Sequence, residues 1–174
     1  NLKYTSFFII FFLVGTVIVV LSIFQFYYIR GESMVPTYVD GHYVAVRNQA
    51  NQVLNRWDVI IYQDADILSA KRIIGLGWET ISLWGGSIYI DDVLLAEPYL
   101  IPWIQTCVPV DCSTNSQKTF LIPDGTYFVL GDNRSVSRDS RDCIEGVLCS
   151  QSGFQTIAPE RIAWKIITII PEWL

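Results

Sequence analysis

Three short stretches of this chain hold side chains whose types could do chemistry. The first is Gly31-Glu32-Ser33-Met34-Val35-Pro36-Thr37, with one serine between small and turn-forming residues. The second is Ser69-Ala70-Lys71-Arg72-Ile73-Ile74-Gly75, which puts a lysine inside an apolar, β-branched run. A buried ammonium needs a partner or a depressed pKa. The third is the polar segment 131–141, GDNRSVSRDSR, where Asp and Arg alternate with three serines. Each has an ordinary reading: a loop serine, a strand lysine whose head reaches water, and a solvated loop tied by Asp–Arg pairs. Read together, they suit a nucleophile, a base and a supporting network. A neutral lysine amine can take the proton of a serine hydroxyl, a variant of the serine–histidine arrangement. The chain's one histidine, His42, lies nine residues past Ser33 in a Gly-His-Tyr turn. A Ser-His-Asp triad is the alternative it offers, and a structural role is its ordinary reading.

These residues need elements to position them. Residues 7–24, FFIIFFLVGTVIVVLSIF, contain no charge over 18 residues. As a helix they extend roughly 27 Å, close to the roughly 30 Å hydrocarbon layer of a bilayer. The run is apolar all round, so it lacks the single apolar face of a core helix. Its length and its exit, QFYYIRGES, differ from a cleavable leader. A transmembrane anchor over residues 1–30 is expected. Gln25–Ile29 would extend it, Tyr27 and Tyr28 would sit in the interfacial belt, and Lys3 and Arg30 would bracket it. Ser33 then lies at the membrane surface.

Residues 31–174 read as one β-rich unit. Tyr43–Arg47, Asp58–Tyr62, Ser69–Ile74, Thr80–Leu83, Ser87–Ile90, Thr126–Leu130 and Ile162–Ile170 are short, β-branched and bounded by turn residues. Gly85-Gly86 marks a hairpin turn and Asp91-Asp92 the next. Residues 96–122 read as a loop-rich insertion. No amphipathic helix is expected outside the anchor, so the fold class is mostly β, an antiparallel sheet domain preceded by one transmembrane helix.

The net charge is −5 and the 12 basic residues are scattered, which argues against a nucleic-acid partner. Cys107, Cys112, Cys143 and Cys149 form two local pairs, CVPVDC and CIEGVLC. Such loops fit disulfides in an oxidising compartment. Free thiols and a four-cysteine zinc site are the alternatives, though the usual C-x-x-C spacing of zinc sites is absent. No metal and no cofactor are called for by the serine–lysine chemistry.

The three stretches resemble the conserved boxes of the bacterial type I signal peptidases. GESMVPT resembles their G-x-S-M-x-P-T box, and KRIIGL, starting 38 residues after Ser33, resembles their lysine box. GDNRSVSRDSR matches the GDNR-x-x-S-x-DSR box at every specified position, and RWDVIIY resembles a fourth, weaker box. The resemblance implies a membrane-bound serine endopeptidase with Ser33 as nucleophile and Lys71 as general base. It implies an antiparallel signal-peptidase fold. It further implies that Ser137 hydrogen-bonds Lys71, that Asp139 and Arg141 form a supporting ion pair, and that Asp132 and Arg134 are structural. The Ser33 backbone N–H would help hold the oxyanion. Gly31 stands where some members carry a serine, so it supplies no side-chain donor there. Met34 would line the pocket for a small substrate residue, with Ile29, Ser69 and Ala70 beside it. The lysine box departs from the family's G-L-P-G-D continuation, reading Gly75-Leu76-Gly77-Trp78-Glu79.

By the same resemblance the partners are preproteins carrying signal peptides and the lipid bilayer. The location is the bacterial cytoplasmic membrane, single-pass, with the catalytic domain on the extracytoplasmic side. Two other functions stay in view: a pilin-processing peptidase of the same superfamily, and an inactive anchored β-domain that binds export partners. Trp103, Trp164 and Trp173 are candidates for a lipid interface, with core packing as the ordinary reading.

Overall fold

The computed structural model describes residues 2–48, 53–107, 117–142 and 154–170. Helix α1 (Leu2–Ile23) runs directly into β1 (Phe24–Tyr28). Then follow β2 (Tyr43–Asn48), β3 (Val59–Asp64), β4 (Ile67–Leu76), β5 (Thr80–Trp84), β6 (Ser87–Ile90), β7 (Val93–Leu94), β8 (Lys118–Leu121), β9 (Tyr127–Leu130) and β10 (Ile162–Ile170), the last preceded by a 3₁₀ turn at Pro159–Arg161. Among the described residues the strands form two sheets, ordered β1-β2-β10-β3-β4-β9 and β7-β6-β5-β8. Every pairing is antiparallel.

Strand β3 lies inside the larger sheet, and its first four residues are buried on both faces. That explains its unbroken VIIY run. Val59 and Ile61 join Val44, Val46, Ile166, Met34 and Ile29 on one face. Ile60 and Tyr62 join Ile73, Val129, Ile157 and Ile162 on the other. A third cluster joins the sheets: Ile74, Phe128 and Leu130 meet Ile81, Leu83, Ile88, Ile90 and Phe154. Each such side chain, fully buried, contributes about 1.5–3 kcal/mol of transfer free energy. Gly85 and Gly86 turn β5 into β6 with φ of +58° and +77°, as a two-residue hairpin loop requires.

Two expectations change, and a third, the membrane-spanning helix, is shown only in part. Residues 24–28 do not extend the apolar helix; they form the edge strand β1, with Tyr27 opposite Val44 and Tyr28 opposite Tyr43. The Tyr27 ring packs on Trp164, centroids 4.6 Å apart, which gives that segment a sheet partner in place of helical packing. The insertion 96–122 contributes strand β8, held to β5 by the backbone register and by a Ser82–Thr119 hydroxyl contact of 2.9 Å. Lastly, among the described residues no helix is long and apolar enough to cross a membrane. The side chains of α1 are described over residues 5–16.

The departure after the lysine box still closes a turn. Trp78 takes φ +72°, the Glu79 carboxylate accepts the Leu76 N–H at 2.7 Å, and Arg56 pairs with the same carboxylate at 2.5 Å.

Candidate active site

Ser33 sits in a turn held at both ends. Gly31 adopts φ +88° and its N–H donates to Asp40 Oδ1 at 2.7 Å. The Tyr38 N–H donates to the Met34 carbonyl at 2.9 Å, and the Val35–Pro36 peptide is cis. Met34 is buried at 1% exposure and plugs the turn into the first core face. From across the fold, the Asn133 N–H donates to the Ser33 carbonyl at 3.0 Å.

Lys71 comes from β4, paired opposite Ile60. It is 4% exposed, and its Nζ donates to Ser33 Oγ at 3.1 Å and to the Ala70 carbonyl at 2.9 Å. Burial pushes its pKa below the ordinary lysine value, against an opposing pull from Asp139, Asp64 and Asp132. Desolvation wins because it disfavours the charged form directly, whereas those carboxylates act from a distance. An amine so placed can receive the hydroxyl proton of Ser33.

His42 does not reach into this arrangement as a base. Its Nδ1 accepts the Val39 N–H at 3.2 Å, and its carbonyl accepts the Ile29 N–H at 2.8 Å, so it fastens the serine turn.

The segment 131–141 wraps the pair. Asp139 and Arg141 form a buried ion pair with contacts of 2.8 and 2.9 Å, and Asp139 Oδ2 also accepts the Gly131 N–H at 3.0 Å. Arg141 reaches on to the Cys107 carbonyl at 3.0 Å and the Arg134 carbonyl at 2.9 Å. Asp132 and Arg134 do not pair with each other. Asp132 takes Arg72 through contacts of 2.8 and 2.5 Å and receives the Thr37 hydroxyl at 2.5 Å; Arg134 pairs with Glu97.

One expected contact is not made. The Ser137 hydroxyl is buried and has no hydrogen-bond partner among the described residues, because the Lys71 amine is directed at Ser33 Oγ and the Ala70 carbonyl. Ser137 is nevertheless at the site: a Cβ on Gly131 would collide with both Ser137 Oγ and the Ser33 carbonyl. Of the four residues expected to line a pocket, Met34, Ile29 and Ala70 share one apolar cluster. Ser69 stands apart, opposite Tyr62 on β3. Cys107 is disulfide-bonded. Cys112, Cys143 and Cys149, and with them the pairing, lie outside the described residues, as does Trp173.

Sequence reasoning passed over Arg72, Glu97, Tyr99 and Thr106. The Arg72 guanidinium lies 4.1 Å from the Tyr99 ring centroid and donates to the Trp57 carbonyl at 2.9 Å. Its signal was present: a second cation adjoins Lys71 in the same apolar strand. Glu97 and Tyr99 gave none, because they fall in a stretch without strand periodicity.

Known proteins with comparable sequences sharpen this picture. The profile of the family described as "Signal peptidase, peptidase S26" matches residues 2–155. Signal peptidase I T of Bacillus subtilis is 35% identical over 125 residues, 69% of this chain and 65% of that protein. Signal peptidase I V of the same organism is 35% identical over 144 residues, 75% of this chain and 86% of that protein. Signal peptidase IB of Staphylococcus aureus is 34% identical over 146 residues, covering 77% and 74%.

Proposed function

Since the chain belongs to the signal peptidase family S26, we propose that it is a serine endopeptidase that removes signal peptides from exported preproteins. The observation that carries the reading is the 3.1 Å contact between Lys71 Nζ and Ser33 Oγ, with the lysine buried and its pKa lowered. The match spans 65% of the length of Signal peptidase I T.

In this reading, neutral Lys71 takes the Ser33 proton as Oγ attacks the scissile carbonyl. The tetrahedral oxyanion is met by the Ser33 backbone N–H. Gly31 offers no side-chain donor, so this stabilisation comes from the main chain. Lys71 then protonates the leaving amine and activates the water that releases the acyl group from Ser33. Ser137, whose hydroxyl is uncommitted among the described residues, is available in the same enclosure to steady the protonated amine. Ala70, partly buried and packed against the buried Met34 and Ile29, offers an apolar wall suited to a small residue before the cleaved bond.

We place the chain on a lipid surface as a single-pass protein, with its β-rich part outside the cytoplasm. Phe7, Phe8, Ile9, Ile10, Phe11, Phe12, Leu13 and Val14 are all more than half exposed, which water alone disfavours. The uncharged run of residues 7–24 supports a lipid environment for them.

The test is processing of a preprotein by the full chain in phospholipid vesicles. Ser33→Ala and Lys71→Ala should each cut turnover by about 10⁴-fold or more. Lys71→Arg should be as inactive, because a guanidinium does not surrender its proton near neutrality. Processing by either alanine variant at the parent rate would end the proposal.

A further inference from the structure

Arg134 is buried completely, with 0% of its side chain exposed, yet it touches neither Ser33 nor Lys71 in any hydrogen bond. Its five N–H donors are all committed. Nε donates to the Gly131 carbonyl at 3.1 Å. Nη1 donates to Glu97 Oε2 at 3.2 Å and to the Thr106 hydroxyl. Nη2 donates to Glu97 Oε1 and to the Tyr99 hydroxyl at 3.1 Å. A guanidinium has five donors and no more, so its orientation is fully determined by these partners.

What Arg134 then holds is the backbone that meets the nucleophile. Its Nε fixes the Gly131 carbonyl. Gly131 packs so closely on the Ser33 carbonyl that no Cβ fits between them. Two residues on, the Asn133 N–H donates to that same carbonyl at 3.0 Å. The peptide following Ser33 is therefore located by the 131–134 turn, and the turn by Arg134. Glu97, Tyr99 and Thr106 come from a separate stretch, between β7 and β8, that the catalytic reading leaves without a task.

We propose that Glu97 and Thr106 are positioning residues for the reaction, acting through Arg134 to hold the 131–134 turn against the carbonyl of Ser33. The inference rests on the endopeptidase reading above. Tyr99 assists from the side: its hydroxyl donates to Glu97 Oε1 at 2.5 Å, and its ring lies against Arg72, whose partner Asp132 belongs to the same turn. Glu97 does two things. It neutralises a cation with no access to water, and it sets the angle of the fork through two oxygens. Thr106, 2% exposed, adds a neutral acceptor that completes the set.

A positioning role and a packing role predict opposite outcomes at Thr106. Thr106→Val keeps the shape and loses the acceptor; Thr106→Ser keeps the acceptor and loses a methyl group. The experiment measures kcat and KM of the full chain in phospholipid vesicles with a fluorogenic signal-peptide substrate, well below each variant's unfolding temperature. Thr106→Val should lower kcat about tenfold with KM within about twofold, and Thr106→Ser should stay within about twofold of the parent. Glu97→Gln should lower kcat about a hundredfold, the scale of loss expected from a displacement near 1 Å. If Glu97→Gln does not fold, the Thr106 pair still decides. Active Thr106→Val with impaired Thr106→Ser, or an unchanged kcat in both, overturns the inference. An active parent with unaffected Thr106→Val removes this inference alone. A Ser33→Ala variant as active as the parent removes the reading beneath it.

Discussion

Lys71 can serve as a base only because the protein disfavours its charged form, and that has two consequences that can be measured. In activity, turnover should rise with pH as Lys71 loses its proton, with the midpoint below the ordinary lysine value of 10.5. A midpoint at or above that value in a pH–kcat profile would contradict the burial argument. In stability, the native pKa lies below the unfolded one, so the unfolded chain binds more protons in between. The stability owed to this group is fully present above the unfolded pKa and is lost as pH falls toward the native one. Lys71→Met should therefore gain most over the parent at low pH, and the gain should shrink as pH nears the lysine range. Thermal unfolding at a series of pH values checks the sign. Tyr62 offers a second case. It is 1% exposed and its hydroxyl has no partner among the described residues, while burial, aided by Asp64 and Asp139, holds the phenol protonated. Removing an unpaired buried hydroxyl relieves about 1–3 kcal/mol of desolvation cost. Tyr62→Phe should leave the unfolding temperature unchanged or raise it, since the ring and its contact with Arg161 survive. A fall of several degrees would mean that the hydroxyl has a partner.

Among the elements, the tightest constraint is the approach of β9's following turn to the serine turn. Gly131→Ala would drive a methyl group into the Ser33 carbonyl and Ser137 Oγ, and the first of these is backbone that cannot swing aside. We expect a kcat loss of about a hundredfold, with measurable destabilisation. Glu79 makes the contrasting case. Glu79→Ala frees the Leu76 N–H and leaves Arg56 without its carboxylate, so the unfolding temperature should drop while kcat at 25 °C stays near the parent value. The strands β2–β6, β9 and β10 were legible because short β-branched runs bounded by Gly, Asp or Asn mark them. Strand β1 was not, since FQFYY continues an uncharged apolar run and its partner lies in a later strand; pairing of that kind leaves no local trace. β8 was hidden among Ser, Thr and Asn for a similar reason. At the site, Ser33 and Lys71 each had an ordinary reading alone and were readable only because the three stretches together resemble the boxes of one family. The Arg134–Glu97 pair was not, because residues 37 positions apart become neighbours only through the fold. Asp132 and Arg134 were expected to be structural, and their partners, Arg72 and Glu97, come from elsewhere in the chain.

Taken whole, the molecule joins an exposed apolar helix to a sheet whose serine turn begins a few residues later. The full chain should float with phospholipid vesicles in a density gradient, and replacing Phe8, Phe11 and Phe12 by Asp should release it; sedimentation of the parent as free protein would contradict the lipid assignment. The absence of any residue between Ile23 and Phe24 has a further effect. With no linker between helix and strand, Ser33 follows the helix end at Ile23 by only ten residues, so it would stand close to the bilayer rather than sweeping a wide range. Cleavage would then be gauged by depth as well as by side-chain fit. A Gly-Ser spacer inserted between Ile23 and Phe24 should blur where membrane-inserted substrates are cut, while short peptides in solution continue to be cut at one bond.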